Sequence, residues 1–258
     1  MTASSRVDGV QSVLRAVGIL NCFREGEPAL TVSELARRTG LSTSTAHRLA
    51  RSLLDTGFLE QDVETARYRL GPSITELGQL SFHRRGLHKV APELGQLARV
   101  TSATVDLAVR NGPHAVILVG GSLNPDRGIG LHRPLHSTAL GKVLLAWALP
   151  GNGDLAALGP LQAQTQRTII DHAALRAELD QVRQSGYALN DGESSEGVRT
   201  VAVPVLDRAD HARYALAVRA TPRLIGDARI LWFVKQARAC ARVLEVLLLP
   251  PAERRWHS

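Results

Sequence analysis

Between Leu41 and Leu53 the chain reads LSTSTAHRLARSL, and its side chains sort into two chemistries. Ser42, Thr43, Ser44 and Thr45 are short hydroxyls; His47, Arg48 and Arg51 are longer donors within the next two helical turns. On a helix, Thr43, His47 and Arg51 stand four apart, as do Ser44 and Arg48, so two polar rows run up one side. Small residues in the first turn let a helix tip approach another surface closely and leave backbone N–H groups open to a phosphate. Arginines one and two turns later can reach a base edge or a further phosphate. The chemistry read here is contact with a nucleic acid.

Other candidate constellations are weaker. ALGKV around Lys142 lacks the upstream glycine of a phosphate loop, where His136 stands, and Val143 follows the lysine in place of Ser or Thr. Gly128 and Gly130 are a dinucleotide fingerprint without its third glycine. His132 and His136, four apart, could be completed as a metal site by Asp191 or Glu193, but no cysteine lies near them and no metal or other cofactor is expected. Ser137 and the serine of GGSLNPDRG sit in no nucleophile elbow and show no readable His or Asp partner. A metabolite-binding enzyme or metal-dependent hydrolase is therefore the second reading.

The elements that must position the first set follow from spacing. Val10, Val13, Leu14, Val17 and Leu20 predict an amphipathic helix from Val10 to Phe23. Thr31 with Glu34 is a capping box, predicting a short helix from Val32 to Arg38 or Thr39, ended by a left-handed turn at Gly40. Ser42 caps a third helix whose Ala46, Leu49, Ala50, Leu53 and Leu54 form its packing face. After Gly57 the period changes to that of a hairpin, with Arg67 and Arg69 on one side of its second strand. Three helices and a hairpin in this order make a winged helix-turn-helix, with the opening stretch as its recognition helix.

Ile74, Leu77 and Leu80 predict a linker helix from Pro72 to Leu87. Beyond it come two strands around an Asn111-Gly112-Pro113 turn, a helix near Ala139 to Ala148, another near His172 to Ser185, and a second strand pair in VRTVAVPVLDRADHARYALAVRATP. A last helix is predicted from Arg223 to Leu248, with Ile230, Val234, Ala237, Ala241 and Leu244 inward and Lys235, Arg238, Arg242 and Glu245 opposite. The expected class is α+β: a winged helix-turn-helix over 1–71, a linker helix over 72–88, a sensor domain over 89–250 and a tail over 251–258.

The 258 residues, 44% of them apolar, can bury a core, and the net charge of +7 suits an anionic partner. No segment is a basic arm, so nucleic-acid contact must rest on where particular arginines point. Cys22 and Cys240 offer no disulfide framework, and the start of the chain has no unbroken apolar run. A reduced, cytoplasmic protein that spans no membrane is expected.

The motifs VLRAVGILNCF, LTVSELARRTGLSTSTAHRLARSLLDTGFL, YRLG, HSTALGKVLLA and GYALNDGESSEGVRTVAVPV together resemble transcriptional regulators of the IclR type over nearly the whole chain. The resemblance implies a GAF-like C-terminal domain, a homodimer or homotetramer on double-stranded palindromic operator DNA, and repression of a catabolic operon under a small organic effector. It also implies an effector pocket drawing on Ser137, Thr138 and Ala139, on Asn190 with Asp191 and Glu193 beside it, and on Thr200 and Ala217. Where relatives carry small or hydroxyl side chains this sequence has Arg219, which would pair with a carboxylate if it faces inward.

Overall fold

The computed structural model describes residues 3–24, 26–120, 132–149 and 153–255; Gly128, Gly130 and the GGSLNPDRG serine lie outside them. The described residues fall into two compact units, one running to Arg84 and the other beginning at Arg85.

In the first unit, α1 (Ala3–Asn21), α2 (Val32–Thr39) and α3 (Thr43–Asp55) pack around Ile19, Leu30, Leu35, Leu49 and Ala50. The local chemistry sets each boundary. Thr31 Oγ1 accepts from the Glu34 N–H at 3.3 Å while the Glu34 carboxylate accepts from the Thr31 N–H at 2.7 Å, closing the capping box. Gly40 follows at φ 66°, a left-handed turn that suits glycine, and Ser42 then caps α3 by accepting from the Thr45 N–H at 3.3 Å. Strands β1 (Leu59–Gln61) and β2 (Tyr68–Leu70) form the wing, with Glu60 opposite Arg69. Leu30 bridges Tyr68 and ties the wing to the core.

The face of α1 differs from expectation. Val10, Val13, Leu14 and Val17 are 64%, 63%, 66% and 47% exposed, and α1 meets the core instead through Ala16, Ile19 and Leu20. The apolar spacing is real, but nothing in this unit covers it. Helix α4 (Pro72–Arg84) stops three residues short of the predicted Leu87; Gly86 takes φ 73° there, and a short 3-10 turn spans Leu87–Lys89. Leu77 and Leu80 on α4 are likewise exposed.

The second unit is built on one antiparallel sheet with strand order β5-β4-β3-β8-β7-β6. Its strands are β3 (Thr104–Asn111), β4 (His114–Val119), β5 (His132–Pro134), β6 (Ala188–Asp191), β7 (Arg199–Leu206) and β8 (Ala212–Ala220). Alternation gives it two faces. Ala108, Ala115, Ile117, Ala202, Ala215 and Ala217 lie under α6 (Ala139–Ala146) and α7 (His172–Ser185). Val105, Leu107, Val201, Val203, Leu216 and Val218 are buried on the other face, toward α5 (Val90–Thr101) and α8 (Ile230–Leu248).

Helix α5 and the short strands β5 and β6 have no counterpart in the sequence reading. Helix α8 starts at Ile230 rather than Arg223, because the preceding residues form turns and a 3-10 segment after Pro222 and Gly226. Glu245, expected on its polar side, is buried and its Oε1 accepts from the Leu206 N–H at 3.3 Å. No helix among the described residues is long and apolar enough to cross a membrane.

Candidate functional site

In the first unit Ala46, Leu49 and Ala50 of α3 face the core, which turns Thr43, Ser44, His47, Arg48 and Arg51 to solvent. The hydroxyls at its start divide their roles. Ser42 is committed to the helix end: it accepts from the Thr45 N–H and donates to Thr45 Oγ1 at 2.9 Å. Thr45 is half-buried beside it, while Thr43 and Ser44 point outward. Among the described residues neither Arg48 nor Arg51 meets a carboxylate. Arg37, which the sequence reading passed over, is also exposed near the end of α2.

The wing is electrically different. Arg67 donates to the Ala29 carbonyl at 2.9 Å and lies 3.6 Å from Glu34, and Arg69 donates to Glu60 at 2.6 Å. Hydrogen bonds from the Thr65 side chain and backbone hold the Asp62 carboxyl below its ordinary range, so the wing tip keeps its negative charge. With Glu60, Asp62 and Glu64 against Arg67 and Arg69, the wing offers no net attraction to phosphates, and both arginines are engaged within the protein. The uncompensated positive edge is that of α3.

In the second unit the sheet face beneath α6 gathers most of the other predicted set. Asn190, Thr200 and Arg219 are register partners across β6, β7 and β8, and Ala217 is on the same face, opposite Ala202. Arg219 therefore faces inward, with Nε 3.6 Å from Asp106 and without a hydrogen-bond partner. Arg133 of β5, paired with Ala115, shares this face. Its guanidinium is held below the ordinary range by burial and by repulsion from Arg219, with Asp106 acting the other way. Sequence reasoning did not single out Arg133 or Asp106.

The start of α6 closes the other side. Thr138 caps the helix, accepting from the Gly141 N–H at 3.1 Å and donating to the Pro134 carbonyl at 2.7 Å. Gly141 is required because a Cβ there would come within 2.2 Å of the Leu135 carbonyl oxygen. Ala139 opens the helix, buried like Thr138. Ser137 is fully buried, and its hydroxyl has no partner. Asn190 braces this corner: its amide donates to the Ser137 carbonyl at 2.7 Å and to Ser194 Oγ at 2.8 Å, and its oxygen accepts from the Glu193 N–H at 2.9 Å.

Asp191 departs from the expected grouping. Strand alternation turns it away from Asn190, Arg199 and Arg167 take its carboxylate at 3.1 and 3.3 Å, and it lines a separate cleft of about 340 Å³ with Thr165 and Pro222. Lys142, weighed in the sequence only as a phosphate-loop lysine, is buried in α6 with Nζ 2.6 Å from Glu193 and 2.8 Å from Glu178. Burial raises the Glu193 carboxyl, and Lys142 draws it back down. A lone lysine in the apolar stretch ALGKVLLA was the available signal. His136 bonds the Gln162 carbonyl at 2.9 Å and His132 packs edge-on against His114, and no group of three metal-ligating side chains occurs among the described residues.

Comparison with known proteins decides the family. Residues 12–63 match the family model described as the IclR helix-turn-helix domain, and residues 81–246 match that of the bacterial transcriptional regulator IclR C-terminal domain. The chain belongs to the IclR family of transcriptional regulators. As such it is a DNA-binding regulator with an effector-binding C-terminal domain, and not an enzyme. It is similar to the HTH-type transcriptional regulator XynR of Escherichia coli K12, 34% identical over 94% of this chain and 99% of the relative. KdgR of the same organism is 32% identical, over 91% of each chain. Among solved structures, an IclR regulator from Silicibacter sp. TM1040 superposes with a TM-score of 0.81 at 29% identity, covering 94% of this chain and 99% of that one. An IclR homolog from Microbacterium hydrocarbonoxydans complexed with 4-hydroxybenzoate gives 0.76 at 27%, over 92% and 98%.

Proposed function

We propose that this IclR-family protein is a cytoplasmic repressor of a catabolic operon that binds a palindromic operator as a homodimer or homotetramer and responds to a small organic acid. The observation that carries the operator reading is α3, whose apolar side is buried while Arg48 and Arg51 stand outside with no carboxylate among the described residues. Thr43 and Ser44 approach phosphates, Ser42 and Thr45 hold the helix tip in shape, and His47, Arg48 and Arg51 reach bases or phosphates. Arg67 and Arg69 join the backbone beside the wing only by exchanging their present carboxylate partners. Domains over 1–71 and 89–250, joined by 72–88 and followed by a tail over 251–258, divide the two tasks.

The exposed apolar stripes of α1 and α4 support self-association, since a soluble protein rarely leaves such rows uncovered. A two-fold pair would present two recognition helices to half-sites about one helical turn or more apart. The effector would occupy the sheet face under α6, among Ser137, Thr138, Ala139, Asn190, Thr200, Ala217 and Arg219, with Asp191 fixing the end of β6 from behind. It acts by preferring one arrangement of the oligomer, a coupling of about 1–3 kcal/mol in systems of this kind. The 4-hydroxybenzoate held by the Microbacterium homolog supports an acid as ligand. Retardation of the protein's own promoter DNA, relieved by a small acid that is recovered unchanged, is the test. Failure to retard the promoter DNA, or retardation that no small acid relieves, would overturn this reading.

A further inference from the structure

Helix α8 has a face that neither DNA contact nor the proposed effector site uses, on the far side of the sheet from α6. The helix buries Phe233, Val234, Ala237, Ala241 and Leu244. At about 100° per residue, its opposite side is centred on Trp232, Ala239, Val243 and Val246, a seam about 21 Å long. Trp232, Val243 and Val246 are 36%, 40% and 53% exposed, and Arg229 lies over the Trp232 ring at 5.2 Å. Along one edge of the seam stand Lys235, Arg238 and Arg242, all exposed. Among the described residues none of these three meets a carboxylate; Arg238 is steadied by donating to the Ser185 carbonyl at 2.8 Å. An apolar row beside a row of unmatched positive charge marks a docking surface and restricts what can dock.

Two occupants fit poorly. Past Ala202 strand β7 outruns β6, and a cleft of about 270 Å³ opens beside it, walled by Trp147, Leu206, Arg238, Arg242 and Arg255. An added strand finds little to pair with there, since Pro204 has no N–H and the Leu206 N–H already donates to Glu245. A second copy pairing α8 antiparallel about a two-fold axis would set the basic row against its own counterpart. A parallel pair would set it against the flank at Cys240, where the neighbouring α5 offers one acid, Glu93, and one base, Arg99. We propose that α8 receives an acidic amphipathic helix of another protein, its apolar side on Trp232, Ala239, Val243 and Val246 and its carboxylates along Lys235, Arg238 and Arg242.

The test is fluorescence anisotropy of labelled peptides titrated with the full-length protein at physiological salt. The probe is a peptide of about 18 residues with leucine at i, i+3, i+4 and i+7 and glutamate on the other face. Its controls are the same composition in shuffled order and the same pattern with lysine for glutamate. The ordered acidic peptide is expected to bind about tenfold tighter than either control. Lys235→Glu combined with Arg242→Glu, and separately Val243→Asp, should each weaken it about tenfold while promoter binding and the far-ultraviolet spectrum stay as in the unmodified protein. No binding, equal binding by the shuffled or the lysine peptide, or indifference to the substitutions overturns the proposal. So does a Val243→Asp protein that sediments as a smaller species, because a second copy would then be what covers the seam. Promoter retardation by the unmodified protein is measured independently, so the regulator reading stands or falls apart from the docking surface.

Discussion

The ammonium of Lys142 lies 2.6 Å from Glu193 Oε1 and also donates to the Leu189 carbonyl at 3.2 Å, deep in a helix whose other residues are apolar. One charged side chain thus pins α6 to β6 and, through Glu178, to α7. The corner that Asn190 braces is therefore held by ionic as well as neutral hydrogen bonds.

Removing that charge alone should be severe. Lys142→Met leaves the buried Glu193 carboxylate unpaired beside the partly exposed Glu178, a loss expected to cost about 3–5 kcal/mol, whereas Lys142→Met combined with Glu193→Gln should recover part of it. The sign with pH follows from Glu193, whose carboxyl burial already raises above the ordinary glutamate value. Such a group contributes stability below its unfolded value, and that contribution is lost as pH rises through the folded one. In Lys142→Met the raise grows, so the variant should regain stability as pH falls from 7 toward about 4.5. Urea unfolding followed by circular dichroism at several pH values measures it; a deficit independent of pH would rule out the carboxylates as its cause.

Ser137 and Asn190 should respond in opposite ways. The Ser137 hydroxyl is buried and unbonded, so Ser137→Ala removes an unmet polar group and should leave the melting temperature unchanged or raised. Asn190→Ala strands the partners of three hydrogen bonds and should cost about 1–3 kcal/mol or more. Thermal unfolding of the two variants without ligand decides this. A large loss in Ser137→Ala would mean that its hydroxyl has a structural role.

These contrasts separate what was legible in the sequence from what was not. The ends of α2 and α3 could be read because Thr31, Glu34, Gly40 and Ser42 each encode a boundary through local hydrogen bonding or φ, independent of the rest of the fold. The turn at Gly112 was readable for the same reason. The row Val10, Val13, Leu14 and Val17 was readable as a stripe but not as an exposed one, because helical spacing is identical whether the cover comes from the same chain or another. Helix α5 escaped notice with Pro92 in its first turn, where proline is tolerated. Glu245 and Lys142 look like surface residues in sequence, and only their partners on β6, β7 and α7 account for their burial. Within the site, strand alternation could have parted Asp191 from Asn190, had the four-residue β6 been long enough to register as a strand.

The α3 edge and the wing should divide in their response to salt. Arg48→Ala is expected to weaken operator binding by about 1–3 kcal/mol if it reads a base, and to reduce the salt slope by about one if it contacts a phosphate. Arg51→Ala should behave similarly. Arg67→Ala removes a bond to the Ala29 carbonyl and the ion pair with Glu34, so it should lower stability while changing the salt slope little. Fluorescence anisotropy on the promoter fragment at several salt concentrations supplies the comparison. If Arg67→Ala alters the slope as much as Arg48→Ala, the wing reaches the DNA after all.

Self-association should depend on α1. Leu14 is 66% exposed and makes no part of the three-helix core, so Leu14→Glu has little to disturb within one chain. If a second copy covers the stripe, the same change places a charge in an apolar interface, where desolvation without a partner is costly. The variant is therefore expected to sediment as a smaller species than the wild type, with an unaltered far-ultraviolet spectrum and weaker binding to a full palindrome than to be explained by any change in half-site affinity. Analytical ultracentrifugation over a concentration series reads the first effect, and titration of half-site and full-site DNA reads the second. A Leu14→Glu protein that keeps the wild-type mass at every concentration would assign the exposed row of α1 to something other than a second copy of the chain.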